Sequence, residues 1–261
     1  MNKRNEKIDS RIAFTWSSNR AFGAEREPAI SVLLAAYNEA KSIRGFVKSC
    51  YEEICEKLPA ELMVAEDGST DGTREILLSL KNELPIVLLS SYNRKGYAKG
   101  LIDALGNCSG DWVFFSDSDG QYSLSNFWNL WDQRACYDMI IGCKIHRREA
   151  AHRIILAKGF HKIVNSLFGL SLHDADCGFR LIRKEVVRSV IKEVKLLEYS
   201  FWAEFTIRAC LKGFRVCEVP ISHSNRAHGN THIYEPSRIP MIVLKQFRGL
   251  ARLYSEVKRN H

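Results

Sequence analysis

From residue 29 to residue 117, short apolar runs alternate with helix-length stretches, and each polar cluster falls where an apolar run stops. AISVLLAAY (29–37), ELMVAED (61–67), PIVLLSS (85–91) and DWVFFSD (111–117) have the length and apolar content of buried strands. Between them, SIRGFVKSCYEEICEKL (42–58), DGTREILLSLKNEL (71–84) and GYAKGLIDALGNC (96–108) carry apolar residues at helical spacing. Strands joined through helices pair in parallel, so this alternation predicts an α/β fold: a mainly parallel central sheet flanked by helices. In such sheets ligands collect outside the carboxyl ends of the strands.

A helix is expected over about 124–136 and a strand at YDMIIGCK (137–144), after which the pattern loosens. HRREAAHRIILAKGFHKIVNSLFG (146–169) reads as a basic helix, a second helix runs from about Phe201 to Lys212, and FRVCEVPI (214–221) returns to the sheet. Residues 1–27 lack sustained periodicity and read as a tail ended by Pro28. With no internal repeat, one domain over 28–234 and a C-terminal helical extension over 235–261 account for the chain.

A hydrophobic content of 46% suits a proper core, and the net charge of +8 suits anionic partners such as nucleoside diphosphates, phospholipid headgroups or nucleic acid. The basic residues lack the interleaved aromatics of single-strand binders, which argues against nucleic acid. Eight scattered cysteines without a CxxC pair read as reduced, buried small hydrophobes of a cytoplasmic protein. The polar start MNKRNEKIDSR is unlike a secretory signal, and no run approaches the ~18 apolar residues that span a bilayer. A soluble protein, or one lying peripherally on the cytoplasmic face of a membrane, is expected.

FFSDSDGQY (114–122) places two carboxylates one residue apart behind a buried strand, where water screens their repulsion poorly. Alternate residues of an extended chain share a face, so Asp117, Asp119 and Gln121 can converge on one hard cation, Mg2+ or Mn2+. Gly120 lets the backbone turn out of the strand. A helical-hand calcium loop is excluded, because its glycine belongs at the sixth position and a glutamate where Trp128 stands. A DxDG-type phosphatase and a plain turn with solvated carboxylates stay open. At the neighbouring strand ends, Tyr37, Asn38 and Glu39 in AAYNEA and Glu66 and Asp67 in AEDGSTDGT form a polar rim suited to a nucleobase and ribose. Asp71, Gly72 and Thr73 read better as a turn and helix cap.

Six motifs in one order, AAYNE, EDGSTDGT, NRKGYAKG, GDWVFFSDSDGQY, DCGFRLIRKEV and HSNRAHGNT, resemble inverting family 2 glycosyltransferases of the GT-A fold, in the dolichyl- or polyprenyl-phosphate sugar synthase branch. The resemblance covers about residues 29–235. It implies a nucleotide-sugar donor, UDP- or GDP-linked, lodged against Ala36, Tyr37, Asn38, Glu39, Glu66, Asp67, Lys95 and Gly96. Ala36 stands where the family often has proline. Asp117, Asp119 and Gln121 would hold the metal against the donor diphosphate, with Ser118 where alanine or glycine is usual. Arg226 matches the basic residue that would close over the donor, and Thr231 the small hydroxyl residue that follows it.

The chemistry agrees, since a departing nucleoside diphosphate needs a cation and fixed donors. An ionised lipid phosphate acceptor needs only cationic positioning, for which Arg147, Arg148, Arg153 and Arg180 are candidates. A hydroxyl acceptor on a glycan needs a base, and Asp176 and Glu204 are candidates. In the C-terminal segment, Val243, Phe247, Leu250, Tyr254 and Val257 recur at helical spacing beside a basic face of Lys245, Arg248, Arg252 and Arg259. Such a helix lies on an anionic membrane or packs on the core. Relatives often continue into transmembrane helices here, so a peripheral protein with a membrane-protein partner, or a soluble acceptor, is expected. A non-catalytic nucleotide-sugar-binding protein is the alternative of another class.

Overall fold

The computed structural model describes residues 28–145, 151–224 and 239–260, the side chains at 151–153 and 260 excepted. The first half follows the predicted alternation: β1 (Ile30–Ala36), α1 (Ile43–Cys50, continued by a π turn at Tyr51–Cys55), β2 (Ala60–Asp67), α2 (Thr73–Leu80), β3 (Ile86–Ser91), α3 (Tyr97–Asn107) and β4 (Trp112–Asp117). Then come α4 (Asn126–Trp131), β5 (Met139–Lys144), α5 (Ala151–Phe168), β6 (Phe179–Arg183), α6 (Lys184–Val190), α7 (Phe201–Leu211), β7 (Val216–Ile221) and α8 (Ile239–Asn260). The sequence reading contained neither β6 nor α6.

The seven strands lie in the order β3-β2-β1-β4-β6-β5-β7. All run parallel except β6, which is antiparallel to both β4 and β5. Register keeps the strand ends level: Ala35 faces Asp117, Ala36 faces Glu66, and Asp67 faces Ser91. The loops after β1, β2, β3 and β4 therefore share one rim. Strand order reverses at β1, between β2 and β4, which opens a crevice there. Because β6 runs the other way, the loop before it arrives at that same rim, with Phe179 beside Ser116.

Pleating sends the two phenylalanines of β4 to opposite faces. Phe114 packs edge-on against Phe127 and Phe179, both at 4.9 Å, while Phe115 meets Trp202 at 4.7 Å. A smaller cluster joins α5, α7 and α8 through Val164, Phe168, Leu197, Ile207, Leu250 and Leu253. Of the expected apolar stripe on α8, Leu250, Tyr254 and Val257 pack there, but Phe247 is 51% exposed. Ile242 and Leu253 are buried instead, so the packed face is rotated from the expected one. No disulfide links the eight cysteines; Cys50, Cys108 and Cys177 are buried, while Cys136 is exposed, contrary to the expectation for all eight. No helix among the described residues is long and apolar enough to cross a membrane.

Candidate active site

Asp117 ends β4 at the crevice. Its backbone N–H donates to the carbonyl of Gly178 at 3.2 Å, and its Oδ1 accepts from the Tyr97 hydroxyl at 3.0 Å. Oδ2 lies so close over Gly178 that a Cβ at that position would overlap the carboxylate. Glycine in the DCGFR motif is thus the condition for Asp117 to sit where it does. Ser118 turns inward and donates to the carbonyl of Ala35 at 2.7 Å, tying the β1 and β4 ends together. Asp119 accepts from the Gln121 backbone N–H at 3.1 Å, an Asx turn closed by Gly120 at φ 72°. Gln121 points its amide nitrogen to the carbonyl of Ser224 at 3.3 Å, leaving its acceptor oxygen on the other side.

Burial, followed by the charge of Asp119, pushes the Asp117 carboxyl up to about 7. Two oxygen-rich acids under electrostatic strain, one nested on a glycine, fit a hard divalent ion that would relieve the strain. Among the described residues no three His, Cys, Asp or Glu side chains gather into a closed cage. A pair of carboxylates with room for other oxygens matches the sites whose metals also bridge phosphates.

On the β1–β3 side the loops are stitched to one another. Asn38, at φ 55°, accepts from the Thr70 N–H at 2.9 Å, and its own N–H donates to Ser69 Oγ at 3.0 Å. The Glu39 and Ala40 N–H groups donate to Thr73 Oγ1 at 2.9 Å and Asp71 Oδ2 at 3.0 Å. Asp71 also accepts from the Thr73 N–H at 3.1 Å, the expected turn; the N-cap position of α2 is Gly72, so the capping part of the expectation is not met. Asp67 accepts from the backbone of Lys95 at 2.7 Å and of Gly96 at 2.9 Å, which fixes the loop leading into α3. The Arg94 guanidinium stacks on the Tyr37 ring at 4.1 Å.

Two expected pocket residues are corrected. Ala36 is packed in the core, so only its backbone reaches the rim. Glu66 is buried and accepts from the Ser69 N–H, from Arg74 Nε at 2.9 Å and from Ser90 Oγ at 2.6 Å. Burial works against its charge, but these bonds outweigh it and hold the carboxyl below its ordinary range. It is a brace for the loops, with no side chain directed at a nucleotide.

The acceptor side holds further corrections. Arg180, expected to bind a phosphate, is 0% exposed. It donates to the carbonyls of Cys177 at 2.9 Å and Ala175 at 3.2 Å and to Thr206 at 3.1 Å, and stacks on Trp202 at 4.1 Å. Glu204, a candidate base, is also 0% exposed: it receives the N–H groups of Lys195, Leu196 and Leu197 and the guanidinium of Arg208 at 2.9 Å. Both residues organise loops. Asp176 differs: half-buried at the rim, it accepts from the Ala203 N–H at the start of α7 at 3.1 Å. Burial raises its carboxyl to about 6, against the opposing pull of Arg180. Arg147, Arg148, Arg226 and Thr231 lie outside the described residues, as does the side chain of Arg153.

The family model for glycosyl transferase family 2 matches residues 31–191, more than half of the chain. The chain belongs to glycosyl transferase family 2. Relatives of this family 2 chain include glycosyltransferase AglD of Haloferax volcanii, 29% identical over 76% of the chain and 34% of that protein. Polyprenol monophosphomannose synthase of Mycolicibacterium smegmatis is 26% identical over 80% of the chain and 85% of that protein. The undecaprenyl-phosphate 4-deoxy-4-formamido-L-arabinose transferase of Pseudomonas paraeruginosa is 25% identical over 77% and 59%. The chain thus spans about a third of the first of these and less than two thirds of the third. Glucosyl-3-phosphoglycerate synthase of Mycobacterium tuberculosis, solved with Mn2+ and UDP, superposes with a TM-score of 0.63 at 18% identity, over 87% of this chain and 80% of that one. Mannosyl-3-phosphoglycerate synthase of Rubrobacter xylanophilus gives 0.62 at 14% over 89% and 75%. The family 2 chain has the GT-A fold, a single mixed α/β domain.

Three residues that sequence reasoning missed complete the site: Tyr97, Gly178 and Trp202. Tyr97 and Gly178 stood inside quoted motifs, NRKGYAKG and DCGFR, yet no spacing rule connects either to Asp117. Trp202 lies in a helix whose apolar residues read simply as core.

Proposed function

We propose that the protein transfers a sugar, with inversion, from a nucleoside diphosphate sugar to a polyprenyl phosphate, using Mg2+ or Mn2+ held by Asp117, Asp119 and the Gln121 amide oxygen. The observation that carries this reading is the strained Asp117 carboxylate, nested on Gly178 beside Asp119 at the strand switch. When bound, the divalent ion would neutralise charge developing on the diphosphate leaving group. Tyr37, Asn38 and Glu39 with Asp67 and the Lys95–Gly96 loop form the nucleotide wall. Arg226 and Thr231 enter on the sequence alone, as donors that close over the diphosphate. The catalytic domain on this reading is 28–234.

A lipid phosphate acceptor is supported by the relatives named for polyprenol and undecaprenyl phosphate, the first matched over 85% of its length. On the sequence alone, Arg147, Arg148 and Arg153 are the candidates to bind that phosphate. A phosphate oxygen already carries its charge, so no base is needed. A second reading, a hydroxyl acceptor on a glycan, is favoured by Asp176 alone, whose raised carboxyl is suited to taking a proton near neutrality. The first half of α8 exposes Met241, Leu244 and Phe247 next to Lys245 and Arg248. On this reading it lies on an anionic cytoplasmic membrane surface.

The test is release of UDP or GDP from candidate nucleotide sugars with polyprenyl phosphate, with and without Mn2+, beside Asp119→Ala. Metal-dependent release that the variant loses supports transfer. Release of inorganic phosphate would mean a phosphatase, and nucleotide binding without turnover a binding module.

A further inference from the structure

The Tyr97 hydroxyl stands between two partners whose roles leave no ambiguity. Trp202 Nε1, which can only donate, reaches the Tyr97 oxygen at 3.0 Å, and that oxygen lies 3.0 Å from Asp117 Oδ1. The single hydroxyl proton must therefore point at the carboxylate, in a chain that runs from indole to phenol to carboxylate. Such chains polarise in one direction and strengthen each bond. Trp202 is itself immobilised, buried between Phe115 at 4.7 Å and the Arg180 guanidinium at 4.1 Å. Arg180 in turn holds the carbonyls of Ala175 and Cys177, on either side of Asp176 and just before the Gly178 cradle. One locked unit thus grips Asp117 from two directions: Tyr97 on Oδ1 and Gly178 against Oδ2.

We propose that Tyr97, oriented by Trp202, is a positioning residue for the divalent ion: it holds the Asp117 carboxylate in one orientation, so that the metal site is formed before the nucleotide arrives. This rests on the metal reading given above. The hydroxyl contacts the carboxylate and leaves the second lone pair of Oδ1 for a cation. Tyr97, 40% exposed, opens α3 directly after the loop that Asp67 fixes, so the nucleotide wall and the metal carboxylate are linked through one residue.

The experiment is Mn2+ titration of the purified chain, without nucleotide, followed by the electron paramagnetic resonance signal of free Mn2+. The proteins are wild type, Asp119→Ala, Tyr97→Phe, Trp202→Phe and the Tyr97→Phe/Trp202→Phe double variant. Tyr97→Phe is expected to weaken Mn2+ binding about 10- to 100-fold, the usual loss when a partner that orients a metal ligand is removed. Trp202→Phe should weaken it less and in the same direction. The double variant should bind no more weakly than Tyr97→Phe, because the indole acts only through the hydroxyl.

A purely structural role would shift melting temperature while leaving the Mn2+ affinity where it was, and that result overturns the proposal. Additive losses in the double variant overturn it as well. If Tyr97→Phe fails to fold, Trp202→Phe decides alone, and unchanged affinity there is a refutation. Wild-type binding that Asp119→Ala abolishes but Tyr97→Phe leaves intact sinks only the role of Tyr97. Wild-type binding that Asp119→Ala does not change removes the metal reading beneath it too.

Discussion

The two halves of the rim handle charge in opposite ways. On the β1–β3 side, Glu66, Asp67 and Asp71 spend their oxygens on backbone N–H groups and side chains of neighbouring loops, and the Glu66 and Asp71 carboxyls sit below their ordinary range. On the β4–β6 side, Asp117 and Asp176 are pushed up to about 7 and about 6 by burial. The first half is a satisfied scaffold that needs nothing more to be stable. The second half stores unfavourable negative charge that a cation would relieve, and strongly shifted carboxyls of this kind cluster at functional sites.

The sharpest way to break this comparison is to remove a charge from the strained side. Asp119→Ala is expected to lower metal-dependent nucleoside diphosphate release on the order of 10^3-fold, measured as kcat/KM, while Asp71→Ala acts on melting temperature more than on turnover. If Asp119→Ala keeps its turnover, the strain has some other origin.

Arg180→Met tests whether the buried arginine holds the strained side together. Removing the guanidinium leaves the buried carbonyls of Ala175 and Cys177 without their donor and should cost on the order of 2–4 kcal/mol in urea unfolding, whereas Arg94→Ala, on the exposed Tyr37 stack, should stay within about 0.5 kcal/mol. Equal costs would erase the contrast between a buried brace and a surface stack.

Opposite pH slopes follow from the two carboxyls. For Asp117 the folded pKa is raised above the unfolded value, so the ionised group destabilises the metal-free fold progressively as pH climbs from about 4 to about 7. Asp117→Asn should therefore stabilise the metal-free protein at pH 8, roughly 1–2 kcal/mol because Asp119 shares the strain, with the gain gone near pH 4. The amide still accepts from Tyr97. For Glu66 the folded pKa is depressed, so its contribution is present above the unfolded value and lost as pH falls through the folded one. Glu66→Gln should destabilise at pH 8 and converge on wild type in acid. Chemical unfolding at pH 4, 6 and 8 reads both.

The smallest expected effect concerns α8. Leu244→Ser and Phe247→Ser sit at 50% and 51% exposure and should change stability by less than about 0.5 kcal/mol, against about 2–5 kcal/mol for Leu253→Ala. The same two serines should reduce flotation with vesicles containing anionic phospholipid; unchanged flotation would leave this face without a membrane role.

Alternation of apolar runs with helices was enough to place β1 through β5 and β7: the inner strands, buried on both faces, can be little but apolar, and the edge strands β3 and β7, only partly buried, still carry short apolar runs. The same regularity located the loops after β1, β2 and β4 and so the acidic pair. It failed at FRLIR, where a buried strand carries two arginines and runs antiparallel, and an arginine's type says nothing about its burial. Arg180 and Glu204 were misjudged for that reason: each is charged, sits beside the site in sequence, and spends its charge on backbone groups that only folding brings near. Helical spacing on α8 was real, but periodicity alone leaves several stripes open, and packing against α5 and α7 chose the one with Leu253 over the one with Phe247.

Residue order by itself determined the layered sheet, the rim on which ligands gather, and the presence of two acids there, since all three follow from local pattern and strand polarity. Only the tertiary structure decided which charges are held under strain and which are braces. That decision depends on desolvation and on partners distant in sequence, such as Trp202 and Gly178 around Asp117, and neither quantity is written in the spacing of residues along a chain.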